Sequence, residues 1–125
     1  MATYLGFYRA VPTFLEETWA RARTGDRAPD AAFRRLVTGL LEQLPRGCTL
    51  LGSYAAIGGA GQGTTGPPSV LIIETSDTAA LSFISQYYSG YLQIEWVPAQ
   101  AVGMTGAERA AYLEAALAAI PDVEL

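Results

Sequence analysis

The 125-residue chain contains no histidine, no lysine and no asparagine, and it has a single cysteine, Cys48. Without imidazole there is no Ser-His-Asp or Cys-His nucleophile, and no haem or zinc site built on histidine. Without lysine there is no Schiff base and no P-loop ammonium. One cysteine makes no internal disulfide, which points to a cytoplasmic setting. Charge is scarce and of the wrong sign for phosphate: eight arginines face twelve acidic residues, a net charge of -4, so no nucleic-acid partner is expected. The apolar runs stop well short of the roughly 20 residues that span a bilayer, so no membrane partner is expected. The first residues read as a strand rather than a signal peptide. What is plentiful is apolar surface. Half the residues are hydrophobic, which is enough for one domain over residues 1–125 to fold without a disulfide or metal staple.

The pattern along the chain alternates strand and helix signals. Residues 2–11 are rich in aromatic and β-branched side chains and predict a first strand stopped by Pro12. Thr13 with Glu16 has the spacing of a capping box and predicts a short helix carrying Phe14, Leu15 and Trp19, broken at Gly25. Asp30 then caps a second helix, whose Phe33, Leu36, Val37, Leu40, Leu41 and Leu44 recur at helical spacing as a core stripe. Residues 49–57 and 69–75 predict two strands, and the run Val70–Ile73 suggests one covered on both faces. Asp77 caps a helix that Gly90 stops, and 91–99 alternates like a half-buried strand. Thr105 and Glu108 form a second capping box, before a helix with a stripe of Ala110, Leu113, Leu117 and Ile120. The order β, α, α, β, β, α, β, α predicts an α+β fold. Its core is a ferredoxin-like split βαβ, a four-stranded antiparallel sheet with helices on one face. The open face of such a sheet predicts a homodimer.

A set of short stretches also resembles a known family. Leu51-Gly52-Ser53-Tyr54, Ile73-Glu74-Thr75-Ser76-Asp77, Tyr87-Tyr88-Ser89 and Ile94-Glu95-Trp96-Val97-Pro98 look like the small dimeric α/β-barrel proteins of a domain-of-unknown-function family. The match covers roughly residues 47–102. Members carry an aromatic residue followed by His on the second strand, whereas here Tyr54 is followed by Ala55, so no role of that His carries over. The resemblance implies a dimeric α/β barrel. The wider superfamily implies cofactor-free oxygenases, aromatic polyketide cyclases, lactone isomerases, haem enzymes or non-enzymatic ligand sensors, among which fold does not choose, though the absence of His weighs against the haem branch.

Residue chemistry narrows the candidates. Carboxylate and phenol are the ordinary acid-base groups left to the chain, beside Arg as a cation. Glu95, mid-strand between Ile94 and Trp96, and Glu74, ending an apolar strand, are the candidate proton-transfer residues. A carboxylate in an apolar cavity gains a raised pKa. For each the bland alternative is a solvated or paired carboxylate, Glu95 with Arg9, or Glu74 beside the turn that follows it. Tyr8 and Tyr54 are candidate oxyanion donors, Arg9 a candidate cation for a ligand acid, and Trp96 a further substrate contact. Most other tyrosines read as core or interface filler, and Cys48 as a small apolar residue. Gly61-Gln62-Gly63-Thr64-Thr65-Gly66 matches GxGxxG. Pro67, Pro68 and a strand follow instead of the helix that holds a pyrophosphate, so the stretch reads as a hairpin loop and possible lid. The expectation is a cofactor-independent, metal-free cyclase, isomerase or related proton-transfer enzyme. Its substrate would be a small hydrophobic metabolite, aromatic or polyketide-like, with a cofactor-free oxygenase as a close variant. The alternative is a non-catalytic small-molecule-binding or scaffold dimer.

Overall fold

The computed structural model describes residues 1–56 and 66–121. The chain runs β1 (Ala2–Ala10), α1 (Pro12–Arg23), α2 (Ala31–Gln43), β2 (Cys48–Tyr54), β3 (Ser69–Thr75), α3 (Ala79–Tyr87), β4 (Leu92–Ala99) and α4 (Gly106–Ala118). The strands form one sheet in the order β2-β3-β1-β4, every neighbouring pair antiparallel. This α+β arrangement is consistent with the ferredoxin-like split βαβ pattern.

The helix starts follow local chemistry, with two corrections. The Asp30 side chain accepts from Phe33 N at 2.9 Å and caps α2 as its sequence position predicts. Thr105 and Glu108 form the reciprocal capping box of α4. Thr13 is not a cap. Pro12 occupies the first turn of α1, and Val11 stands at the N-cap with no side-chain hydrogen bond. Proline's fixed φ and missing N–H start the helix without one, which places Thr13 inside it. Asp77 is not the N-cap of α3 either: Thr78 holds that position without a side-chain cap hydrogen bond, while Asp77 Oδ1, one residue earlier, accepts from Ala79 N at 2.9 Å and joins Thr75 in tying the turn. Gly25 and Gly47, both at positive φ, follow the ends of α1 and α2.

One layer of helix covers one face of the sheet. Ile73 on β3 and Ile84 on α3 are fully buried, with Leu71, Leu81, Tyr88 and Leu40 of α2 around them. Burial alternates strictly along β3. Ser69, Leu71, Ile73 and Thr75 are buried, while Val70, Ile72 and Glu74 are half-buried on the other face. The apolar run therefore marks an interior strand with one face fully covered by this chain. Helix α1 joins the layer through Phe14, whose ring lies 5.0 Å from Phe33 and 4.9 Å, edge-on, from Tyr91. The stripe on α2 is wider than its buried side: Phe33, Leu36, Leu40 and Leu44 pack on the core, but Val37 and Leu41 are exposed. The stripe expected along α4 is exposed as well, with Leu113 and Leu117 on the helix and Ile120 just past its end more than half accessible.

Candidate functional site

Strand register sorts every candidate side chain onto one of two faces, because partners across a ladder point the same way. Across the bare face the pairing builds rows: Tyr54, Val70, Phe7, Glu95, then Gly52, Ile72, Leu5, Val97, then Thr49, Glu74, Thr3, Ala99. Arg9 pairs with Gln93 beyond the first row. The centre is thus apolar, with Tyr54, Glu95, Arg9 and Glu74 around it. Tyr54 reaches this face through a register shift between Leu50 and Gly52. Unbroken alternation from Cys48 and Leu50 would have sent it toward the helices, and the one extra residue of a bulge reverses that.

On this face Phe7, Arg9, Gln93 and Glu95, with Pro68 and the strand at Ile94, border an open groove of about 470 Å³. Arg9 Nη1 donates to the carbonyl of Gly66, which ties the strand to the segment entering β3. Glu95 is exposed, on the face opposite Leu92, Ile94 and Trp96 as alternation predicts. Glu74 is half-buried between Thr49 and Thr3. It lies level with Thr3, whereas Glu95 lies level with Phe7, four residues along β1. That is about 13 Å at the strand rise, so the two carboxylates do not form a pair.

The opposite face carries Tyr8 and Trp96. Trp96 pairs with Gly6 and lies over it; a Cβ built on Gly6 would stand 2.5 Å from Trp96 Cζ3. The indole N–H donates to Ser85 Oγ at 2.8 Å, so Trp96 is engaged between sheet and α3. Tyr8 forms part of a pocket of about 360 Å³ between the sheet and α1. Phe14, Leu15, Phe33, Leu92 and Ala10 complete its apolar wall. Behind it the rings of Phe14, Phe33 and Tyr91 pack at 4.9 to 5.2 Å. Thr18, Arg21 and the loop residues Arg27, Ala28, Pro29 and Asp30 complete the lining, and residues 27–29 are exposed to solvent.

The six site residues expected from sequence therefore divide. Glu95, Glu74, Arg9 and Tyr54 share the bare face, whereas Tyr8 and Trp96 lie on the other. Within one chain the sheet separates the Tyr8 hydroxyl from the Glu95 carboxylate, so the two do not reach one substrate atom. Tyr54 and Glu95, at opposite ends of one row, are about 14 Å apart by strand spacing. The pocket's arginines and aromatic wall were not among the expected site residues. Arg21 lies in the last turn of α1, the helix bearing Phe14 and Leu15, and Arg27 on the loop that follows, a spacing that carries no sequence signal of a pocket.

Comparison with protein-family models and with curated proteins found no match to this chain. Burial pushes the Cys48 thiol above its ordinary value, which leaves it protonated at neutral pH and a poor nucleophile. Among the described residues no group of three or more His, Cys, Asp or Glu is placed to hold a metal ion. No described helix is long and apolar enough to cross a membrane. Most of the GxGxxG stretch, and the loop it was expected to form, lie outside the described residues.

Proposed function

We propose that this protein binds a small hydrophobic molecule in the pocket between the sheet and α1, and that it works as a homodimer through its bare sheet face. The observation that carries the binding reading is the pocket itself. Its volume of about 360 Å³ falls in the ligand-binding range, and its wall is aromatic and aliphatic with a few polar groups in the lining. Its one carboxylate, Asp30, is committed to capping α2, which favours binding over proton transfer there. The dimer reading is supported by the rows of the bare face, an apolar centre with a polar rim, the anatomy of a protein interface. It is also what the resemblance to dimeric α/β-barrel proteins implies.

The binding reading is tested by ligand-observed NMR with a panel of aromatic and branched aliphatic compounds, on the wild type and on Thr18→Phe, which fills the pocket from α1. Binding that the variant abolishes supports the reading; binding that it leaves intact overturns it. The dimer reading is tested by sedimentation equilibrium. The wild type is expected as a dimer and Phe7→Glu as a folded monomer, and a monomeric wild type would sink it.

A second reading, a cofactor-independent cyclase, isomerase or cofactor-free oxygenase, is favoured by the groove that holds Phe7, Arg9 and Glu95. A second copy packed on the bare face would desolvate that groove, giving Glu95 the surroundings of a general base and Arg9 those of an oxyanion partner. Its test is turnover in a substrate screen. Glu95→Gln is expected to abolish turnover without loss of folding, and activity unchanged in that variant would exclude the mechanism.

A further inference from the structure

We infer that the molecule taken by the α1 pocket carries one acidic group, held by Arg27 with Arg21 beside it, and an aromatic or branched apolar body. The inference rests on the binding reading above and specifies its ligand class.

Of the charged groups around this pocket, Arg27 is the one without a partner among the described residues. The protein carries a net charge of -4, yet two arginines, Arg21 and Arg27, line this pocket beside the single carboxylate Asp30, with Asp26 next to them paired to Arg21. Asp30 is spoken for, since its Oδ1 accepts the Phe33 N–H. Arg21 is partly engaged. One Nη1 lies 3.5 Å from the carbonyl of Ala28 and 3.8 Å from Asp26 Oδ2, a contact that holds the loop against α1. Arg27, which stands on that loop, makes no hydrogen bond or ion pair among the described residues. The loop is pinned by local bonds, with Ala28 N donating to Asp26 Oδ1 at 3.1 Å and Asp26 N to Arg21 O at 3.0 Å. Arg27 is therefore carried on a loop tied to α1 and lines the open, largely apolar pocket.

A guanidinium in such a lining discriminates among ligands with the same body. A carboxylate matches its planar donor fork, whereas an amide or alcohol offers it no charge. Because Arg27 is exposed, the gain is modest and screened by salt, and the apolar body supplies most of the affinity.

The test compares naphthoate with its neutral counterpart naphthamide by titration calorimetry. The proteins are the wild type, Arg27→Gln and the pocket-filling Thr18→Phe, with thermal unfolding run on each. Ala28→Trp, on the exposed loop, fills the pocket from the other side should Thr18→Phe fail to fold. The expected result is naphthoate binding roughly three- to five-fold tighter than naphthamide at low ionic strength. That preference should vanish at about 1 M salt, where screening reaches within a few ångströms, and vanish in Arg27→Gln with naphthamide unaffected. Equal affinity for both probes, lost in the pocket-filling variant, keeps the pocket and overturns the acidic-group inference. Failure of both probes to bind, or binding that the pocket-filling variants leave intact, overturns the pocket reading and the inference with it.

Discussion

The two faces of the sheet are built from the same four strands and carry similar side chains, yet they are in different states. On the helix side Leu71 and Ile73 of β3 are 4% and 0% exposed, locked under Leu81, Ile84 and Tyr88. On the bare side Val70 and Ile72, their immediate neighbours in sequence, are half-buried, and Val97 and Tyr54 are exposed. The helix side has three helices to cover it. Among the described residues the core-packing helices lie on the other side, while the apolar stripe of α4 stands exposed in the same molecule. Apolar content alone thus does not tell which face is core. Covering elements decide it, and an apolar face without them is suited to a partner.

The contrast is sharpest at two adjacent isoleucines. Ile73→Ala is expected to lower stability by about 2–5 kcal/mol in urea unfolding, the transfer and cavity cost of a filled core site. Ile72→Ala is expected to cost distinctly less in the monomer. Equal losses at dilutions where only monomer exists would break the comparison.

The glycines give a second contrast. Gly6→Ala would drive a Cβ into the Trp96 ring, itself held by Ser85, for a loss of about 1–3 kcal/mol. Gly52→Ala meets Tyr54 Cε2 at 2.9 Å, but that ring is exposed and free to swing aside, so a smaller loss is expected. Thermal unfolding of the two variants side by side checks the difference.

A third prediction uses pH to report the covered face. Burial, with Tyr87 and Tyr8 adding to it, pushes the Tyr88 phenol up to about 12 from an ordinary value of 10.0. The folded protein therefore keeps this proton after the unfolded chain has lost it. The stabilisation is complete below pH 10 and is lost as pH rises toward 12, amounting to about 1–2 kcal/mol. Urea unfolding at pH 9 and pH 11.5 should show that loss, and Tyr88→Phe should remove its share of it.

The smallest effect belongs to the exposed helix. Thr105→Ala removes the cap of α4, worth about 1 kcal/mol, and should raise amide exchange across residues 106–118 while leaving global unfolding almost unchanged. A matching fall in global stability would mean that α4 is packed in solution and that its stripe has a partner.

Much of the fold was readable from residues: the order of elements, the Asp30 and Thr105 caps, and the alternation that put Glu95 opposite Leu92, Ile94 and Trp96. Thr13 misled because its spacing to Glu16 imitates a cap, while Pro12, one residue earlier, had already started the helix. The site was less readable. Tyr8 and Tyr54 both sit on strands, but only pairing shows that they occupy opposite faces, and nothing local to Arg21 or Arg27 announces a pocket between Phe14 and Leu92.

The sequence by itself determined what depends on near neighbours. Helix spacing, caps, the β-strand period of two and the exclusion of imidazole and lysine chemistry all follow from residues a few positions apart. The tertiary structure alone decided what depends on distant ones. The register that sets Tyr54, Val70, Phe7 and Glu95 in one row, the bulge that reverses Tyr54, and the choice of covered face are of this kind. A single slipped residue turns every later side chain of a strand to the other face, and only the partner strand and the packed helices hold that register.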